Sequence, residues 1–287
     1  MDKPSVAPVA VDQTHRPARG IDRLLDVMAK LRDPNDGCPW DLAQRAETIV
    51  PHTIEEAYEV AEALETGDTA AELDELGDLL FQVVFYAQLA SEDDRFTFDD
   101  IAASHAEKMV SRHPHVFTQE YKDLSPNVHN VWEEGKARER AEKAALAGKA
   151  KPSVLDGITQ GLPAATRATK LQKRAARVGF DWLEIEQVVD KLDEEMSELK
   201  ELLENSNPKK ELEAIEDELG DVLFAVVNLA RHLEIDPERA LRGANRKFER
   251  RFRVVEQTLE AKEVDLVDVG LDEMEAAWRQ AKEAERR

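Results

Sequence analysis

Apolar residues along this chain recur three and four positions apart. Leu24, Val27, Met28 and Leu31 form one such stripe, and Ile54, Ala57, Tyr58, Ala61 and Leu64 form another. That spacing puts side chains on one face of a helix with 3.6 residues per turn. No alternation of apolar and polar residues runs long enough to suggest a strand. Gly and Pro number 12 each and fall mainly between long segments rich in Ala, Leu, Glu, Lys and Arg. The pattern predicts an all-α protein. The longest apolar runs, such as Leu79 to Ala90, extend for about 12 residues and contain Gln82 and Gln88, too short to cross a bilayer.

The same pattern divides the chain. Residues 1–20 contain Pro4, Pro8 and Pro17 with no basic start leading into an apolar core, and read as a flexible tail, not a signal peptide. Between Arg138 and Pro152 the only large apolar residue is Leu146, so a helix end and a linker at 141–152 are expected. The expected domains are 21–140 and 153–287, each long enough for its own core.

Laid on one another, the two halves share a plan. Cys38-Pro39-Trp40-Asp41 resembles Gly179-Phe180-Asp181-Trp182, and Leu79-Leu80-Phe81-Gln82-Val83-Val84 resembles Val222-Leu223-Phe224-Ala225-Val226-Val227. Trp132 with Lys136 answers Trp278 with Lys282. The second copy is four residues longer around Asn205-Ser206-Asn207-Pro208, which predicts a longer turn between unaltered helices.

Within this duplication lies a repeated acidic pattern. Glu55, Glu56 and Glu59 are followed by Glu75 and Asp78; Glu194, Glu195 and Glu198 are followed by Glu218 and Asp221. Residues three and four apart share a helix face, so each helix carries an acidic stripe, and a short turn lets two stripes face each other. Close carboxylates repel and raise one another's pKa unless a cation joins them. Hard oxygen ligands select Mg²⁺ or Mn²⁺. One E-E-x-x-E is most simply a solvated helix face, but a fixed constellation repeated half a chain apart is not. Asp78 and Asp221 each precede a nearly unbroken apolar run, which predicts that they sit where a helix enters the core and need partners. A di-iron carboxylate bundle would require Glu-x-x-His, and the third position here is Glu59, Asp78, Glu198 or Asp221.

Charge narrows the partners. With 61 Asp+Glu against 39 Lys+Arg the formal net charge is −22, which repels nucleic-acid backbone and anionic membranes. The single cysteine, Cys38, rules out an internal disulfide and suits a reducing cytoplasm; it has no convincing catalytic partner. Against this background Arg242, Arg246, Lys247, Arg250, Arg251 and Arg253 crowd together with only Glu249 opposing them. A salt-bridged amphipathic helix explains them as well as a phosphate grip does, and the carboxylates favour the second reading. Trp278 suits either stacking on a base or core packing, and Lys282 is a weaker phosphate candidate. The first half keeps Lys108 and Arg112 but has Ser111 and His113 in place of Arg250 and Phe252, and Pro114 ends that helix; His113 and His115 read as local loop structure.

These residues together resemble the two-domain MazG family of nucleoside triphosphate pyrophosphohydrolases. The likeness covers nearly everything after Gly20: Gly37-Cys38-Pro39-Trp40-Asp41, both acidic sets, Arg112-His113-Pro114-His115-Val116-Phe117, Val178-Gly179-Phe180-Asp181-Trp182 and Lys247-Phe248-Glu249-Arg250-Arg251-Phe252. The tail and the turn near Pro208 depart from the usual pattern. The resemblance implies tandem MazG-like helical bundles completed by homodimerisation. It also implies hydrolysis of NTPs or dNTPs to monophosphate and pyrophosphate, broad base tolerance, and a role in nucleotide-pool cleansing or starvation responses. It makes Glu195, Glu198, Glu218 and Asp221 the Mg²⁺ ligands and Lys191, Lys247, Arg250, Arg251 and Trp278 the nucleotide contacts. Glu56, Glu59, Glu75 and Asp78 match the motif in the first domain. Glu194 is the candidate general base, with Glu195 beside it as a second catalytic carboxylate. A narrower dUTP, dCTP or phosphoribosyl-ATP pyrophosphatase, and a non-catalytic nucleotide sensor or scaffold, remain as alternatives.

Overall fold

The computed structural model describes residues 19–117, 135, 153–205, 211–262 and 265–285. The expected tail up to residue 18, the expected linker at 141–152, Trp132 with Lys136, and the turn at 206–210 lie outside the described residues. Described residues form helices and connecting turns, with no strand among them. No helix among them is long and apolar enough to cross a membrane. The chain divides into two compact units, Met1–Ala137 and Arg138–Arg287.

In the first unit, α1 (Gly20–Leu31) turns Leu24, Met28 and Leu31 of its stripe inward, with Met28 fully buried and Val27 left exposed. The following turn needs glycine: a Cβ on Gly37 would run into the carbonyl oxygens of Asp33 and Leu31. After the short α2 (Pro39–Ala43), α3 (Ala46–Thr66) and α4 (Thr69–Glu92) form an antiparallel hairpin. Gly67, at φ 74°, ends α3 with its N–H on the Ala63 carbonyl, 3.0 Å away. Left-handed backbone of this kind is cheap only for glycine. Asp68 then caps α4 by accepting from the N–H groups of Ala70 and Ala71. α5 (Phe98–Arg112) opens on a Thr97–Asp100 capping box and stops ahead of Pro114, as expected, before the one-turn α6 (Pro114–Phe117). Met28, Ile49, Val84, Phe85 and Leu89 make the core, with Leu24, Phe81 and Tyr86 packed against it. Arg32 donates to both oxygens of Glu92, at 2.7 and 2.5 Å, and lies over the Phe85 ring, tying the end of α1 to α4.

The second unit repeats the hairpin. α7 (Ala164–Ala176) leads through Gly179, at φ 86°, to α8 (Ile185–Asn205), which pairs with α9 (Leu212–His232). α7 packs on α9, where Gln172 Nε2 donates to the Phe224 carbonyl at 2.9 Å. α10 (Pro237–Glu260) and α11 (Leu271–Ala284) close the unit around Val255, Leu259 and Ala277.

One expectation needs correction. Asp78 and Asp221 are exposed, not buried, and so are Leu80, Val83, Leu223 and Val226 of the runs they precede. Each run wraps more of its helix than neighbours within the unit cover. Its inner residues, such as Val84 and Phe85 or Val222, Ala225 and Val227, are buried while the opposite stripe stays open.

Candidate functional site

Each hairpin brings together three of its four expected carboxylates. In the second unit one carboxylate oxygen from each of Glu195, Glu218 and Asp221 lies within 4.8 Å of the others; in the first, Glu56, Glu75 and Asp78 do the same. Both sets combine one residue of the first hairpin helix with an i, i+3 pair on the second. Glu198 and Glu59 fall outside these sets but remain neighbours. Burial pushes the Glu218 carboxyl up, and the charges of Glu198, Glu195 and Asp221 push it further. Glu56 is raised by burial, then by Asp78, Glu59 and Glu75. Glu75 is raised by burial and by Glu59.

Glu195 is the buried member, 8% exposed. Its partner is Lys191, one turn earlier on α8, whose ammonium sits 2.9 Å from Glu195 and 2.9 Å from Glu194. Hydrogen bonds to Glu195 first and Glu194 second hold Lys191 protonated far above the usual lysine range. Glu194 is exposed, faces Lys191 and is not part of the three-carboxylate set. Glu218 Oε2 is buried with no hydrogen-bond partner. An orphaned acceptor inside a cluster of repelling carboxylates fits a hard divalent cation, which would satisfy the oxygen and cancel the repulsion.

Beside the carboxylates lies a cavity of about 200 Å³. Glu195, Asp221 and Lys191 line it at one end, while Trp182, Phe224 and Asn228 extend it along α9. Asn228 interrupts the apolar run of α9 and is 5% exposed. Sequence reasoning placed Asp181-Trp182 in a shared motif without a role and passed over Asn228. A buried amide within an apolar run was the available signal.

The cationic patch forms a second group, on α10 and α11. Arg250 and Arg251 each donate to Glu285 at 2.7 Å, and these two guanidinium groups hold its carboxyl below the ordinary range. Arg251 lies over the Trp278 ring, 5.9 Å from its centroid, and Phe248 packs on the same ring at 5.2 Å. Trp278 thus contacts both the core and the patch. Lys247 and Lys282 are exposed. Arg250 and Arg251 pair with Glu285, whereas Lys191 pairs with Glu194 and Glu195. Glu285 was not foreseen, because it lies 34 and 35 residues from the arginines it bridges. In the first unit Cys38 sits at the N-terminal cap of α2, and His113 caps α5 with Nδ1 2.8 Å from the Met109 carbonyl.

Known proteins resemble this chain in sequence, two of them over more than nine-tenths of its length. The MazG nucleotide pyrophosphohydrolase domain matches twice, at residues 44–117 and 184–255, spans that contain the two hairpins. A protein of Escherichia coli strain K12, named nucleoside triphosphate pyrophosphohydrolase, is 49% identical over 265 residues, covering 92% of this chain and 98% of its own length. The Thermotoga maritima nucleoside triphosphate pyrophosphohydrolase/pyrophosphatase MazG is 40% identical over 262 residues, 91% of this chain and 95% of its own. A nucleoside triphosphate pyrophosphohydrolase of Mycobacterium tuberculosis is 33% identical over 161 residues, 55% of this chain and 46% of its own. With its helical hairpin duplicated and both carboxylate sets in place, this chain belongs to the MazG nucleotide pyrophosphohydrolase family.

Proposed function

We propose that this chain hydrolyses nucleoside triphosphates between the α and β phosphates, releasing nucleoside monophosphate and pyrophosphate, with the second unit as the active one. The observation that carries this reading is the convergence of Glu195, Glu218 and Asp221 beside a cavity large enough for part of a nucleoside. It sits in a chain alike over nearly its whole length to a protein bearing that activity as its name. Glu195, Glu218 and Asp221, with Glu198 at the margin, would hold Mg²⁺, or Mn²⁺ in its place. Such a cation supplies charge neutralisation on the triphosphate and lowers the pKa of bound water.

The protein's own residues do the rest. Lys191, kept charged by Glu195 and Glu194, offers a fixed cation where phosphate oxygens gain charge. Arg250, Arg251 and Lys247 hold the outer phosphates once the nucleotide displaces Glu285. Trp278 gives the patch an aromatic face. Glu194 is the candidate base, its exposed carboxylate able to take a proton from the attacking water.

A second copy of the chain completes the bundle in this reading. Leu73, Leu76, Leu80 and Val83 of α4, and Leu219, Leu223 and Val226 of α9, form exposed apolar stripes at helical spacing that a homodimer would cover. The domains are 21–140 and 153–287, joined at 141–152, in a cytoplasmic enzyme of nucleotide-pool cleansing or starvation. The test is ³¹P NMR of products after incubation with Mg²⁺ and ATP or dGTP. Monophosphate and pyrophosphate from the wild type but not from Glu195→Ala support the proposal. Diphosphate and phosphate overturn the chemistry; activity persisting in the variant moves it to the first unit.

A further inference from the structure

Asn228 stands at the end of the cavity away from the carboxylates. It lies seven residues beyond Asp221 on α9, about 10 Å along the helix axis. A nucleotide whose α-phosphate lies at the carboxylates therefore brings its base, not its ribose, to Asn228, with Trp182 and Phe224 as flat apolar walls.

The orientation of the Asn228 amide is fixed by chemistry. Arg231 Nε donates to Asn228 Oδ1 at 2.9 Å, and Nη2 donates to the same oxygen at 2.7 Å. A guanidinium has only donors, so the atom facing it must be the amide oxygen. Arg231 is itself held, donating to the Asp181 carboxylate at 2.9 and 2.5 Å, with His232 Nε2 3.1 Å from the same carboxylate. Asp181 precedes Trp182, so one clamp fixes both a cavity wall and the amide. Among the described residues no acceptor bonds Asn228 Nδ2. The cavity wall at this end is otherwise apolar, made of Trp182, Val188, Phe224 and Ala225.

The geometry points to Asn228 as the residue that grades bases. With its Oδ1 taken by Arg231, it offers the N–H groups of Nδ2 and no acceptor, and so favours bases with a keto oxygen over bases with an exocyclic amino group at the same ring position. This rests on the proposed nucleotide hydrolysis and adds to it a substrate preference. A keto oxygen accepts the N–H; an amino group presents donor to donor and leaves both unsatisfied between mostly apolar walls. One neutral hydrogen bond grades substrates without excluding any, so a preference of roughly fivefold to tenfold is expected.

Pairs of equal ring size isolate the effect. Values of kcat/KM for dUTP against dCTP, and for dGTP against dATP, are measured with the full chain and Mg²⁺. The wild type should favour the keto member of each pair by roughly fivefold to tenfold. Asn228→Ala should bring both ratios to about one, and Asn228→Asp, with an acceptor in place of the donor, should tilt them toward dCTP and dATP. Arg231→Gln should free the amide to flip and level the ratios while Asn228 is still present. Circular dichroism and thermal melting confirm that each variant is folded. Ratios near one in the wild type, or unchanged in folded Asn228→Ala, overturn the assignment of Asn228 alone. No wild-type turnover of any of the four nucleotides overturns the pyrophosphohydrolase reading beneath it.

Discussion

The two carboxylate clusters are nearly the same object in different surroundings. Each draws one glutamate from the first hairpin helix and a Glu–Asp pair from the second, within the same 4.8 Å. The neighbours differ. Where the second unit has Lys191 between two glutamates, the first has His52, 3.7 Å from Glu55 and edge-on to Trp40. Where the second has Asn228 against a cavity, the first has Phe85, 1% exposed and locked in the core under Arg32. A cluster of three carboxylates is thus the part common to both copies; in the proposed function, what surrounds it separates a place for a cation from a place for a nucleotide.

The largest expected effect tests whether that separation is complete. Glu195→Ala should lower turnover about a thousandfold, whereas Glu56→Ala should change it less than about twofold, measured by pyrophosphate release. Comparable losses from both would make the clusters functional equals. Next in size is an exchange of roles at matching positions. Phe85→Ala should cost about 3–5 kcal/mol in urea unfolding of the first unit and leave the kcat of the second unaltered. Asn228→Ala, which removes hydrogen bonds from a guanidinium, should cost about 1.5–3 kcal/mol while altering base preference. A large stability loss at Asn228 with no kinetic change would erase the distinction.

Much of this was legible in the sequence because helices announce themselves by period. The helices α1 and α3, the stop at Pro114 and the facing of the acidic pairs all follow from spacing, although Ile54, Tyr58 and Leu64 of the α3 stripe are exposed. Repetition made the carboxylates informative in a chain where acidic residues are common. The depth of Asp78 and Asp221 was misjudged because an apolar run records that a helix has greasy surface, not which neighbour covers it. Asn228 left a local mark, an amide within an apolar run, but how it is held was illegible, as was Glu285. Their orientation and charge depend on Asp181 and on Arg250 and Arg251, far along the chain, and no local pattern records such pairings.

Smaller effects sharpen the electrostatic side. A carboxyl raised in the folded state makes the native protein bind more protons than the unfolded chain, so it lowers stability above its folded pKa and the loss is relieved as pH falls. In chelator-treated protein, Glu218→Gln should therefore raise Tm at neutral pH, with the gain fading as pH drops into the ordinary carboxylate range. Added Mg²⁺ should stabilise the wild type more than the variant, and most at higher pH. A gain independent of pH would mean that repulsion around Glu218 is not its source. The smallest effect concerns the arginines: Glu285→Gln should lower the KM for nucleotide about two- to threefold by removing a competing anion from an exposed pair. An unchanged KM would take Arg250 and Arg251 out of substrate binding.

The hairpins also behave as interchangeable parts. Glu59 and Glu198 stand equally far from the ends of their helices at Thr66 and Asn205, and Glu75 and Asp78 stand as far into α4 as Glu218 and Asp221 stand into α9. Only the joint differs, Gly67-Asp68 in one copy and the longer 206–211 in the other. The offset between facing helices is therefore written into the helices, since it is kept while the joints differ in length. Grafting Gly-Asp in place of 206–211 should yield a second hairpin whose carboxylates still meet, a compact module for transplanting a carboxylate cluster onto other helical scaffolds.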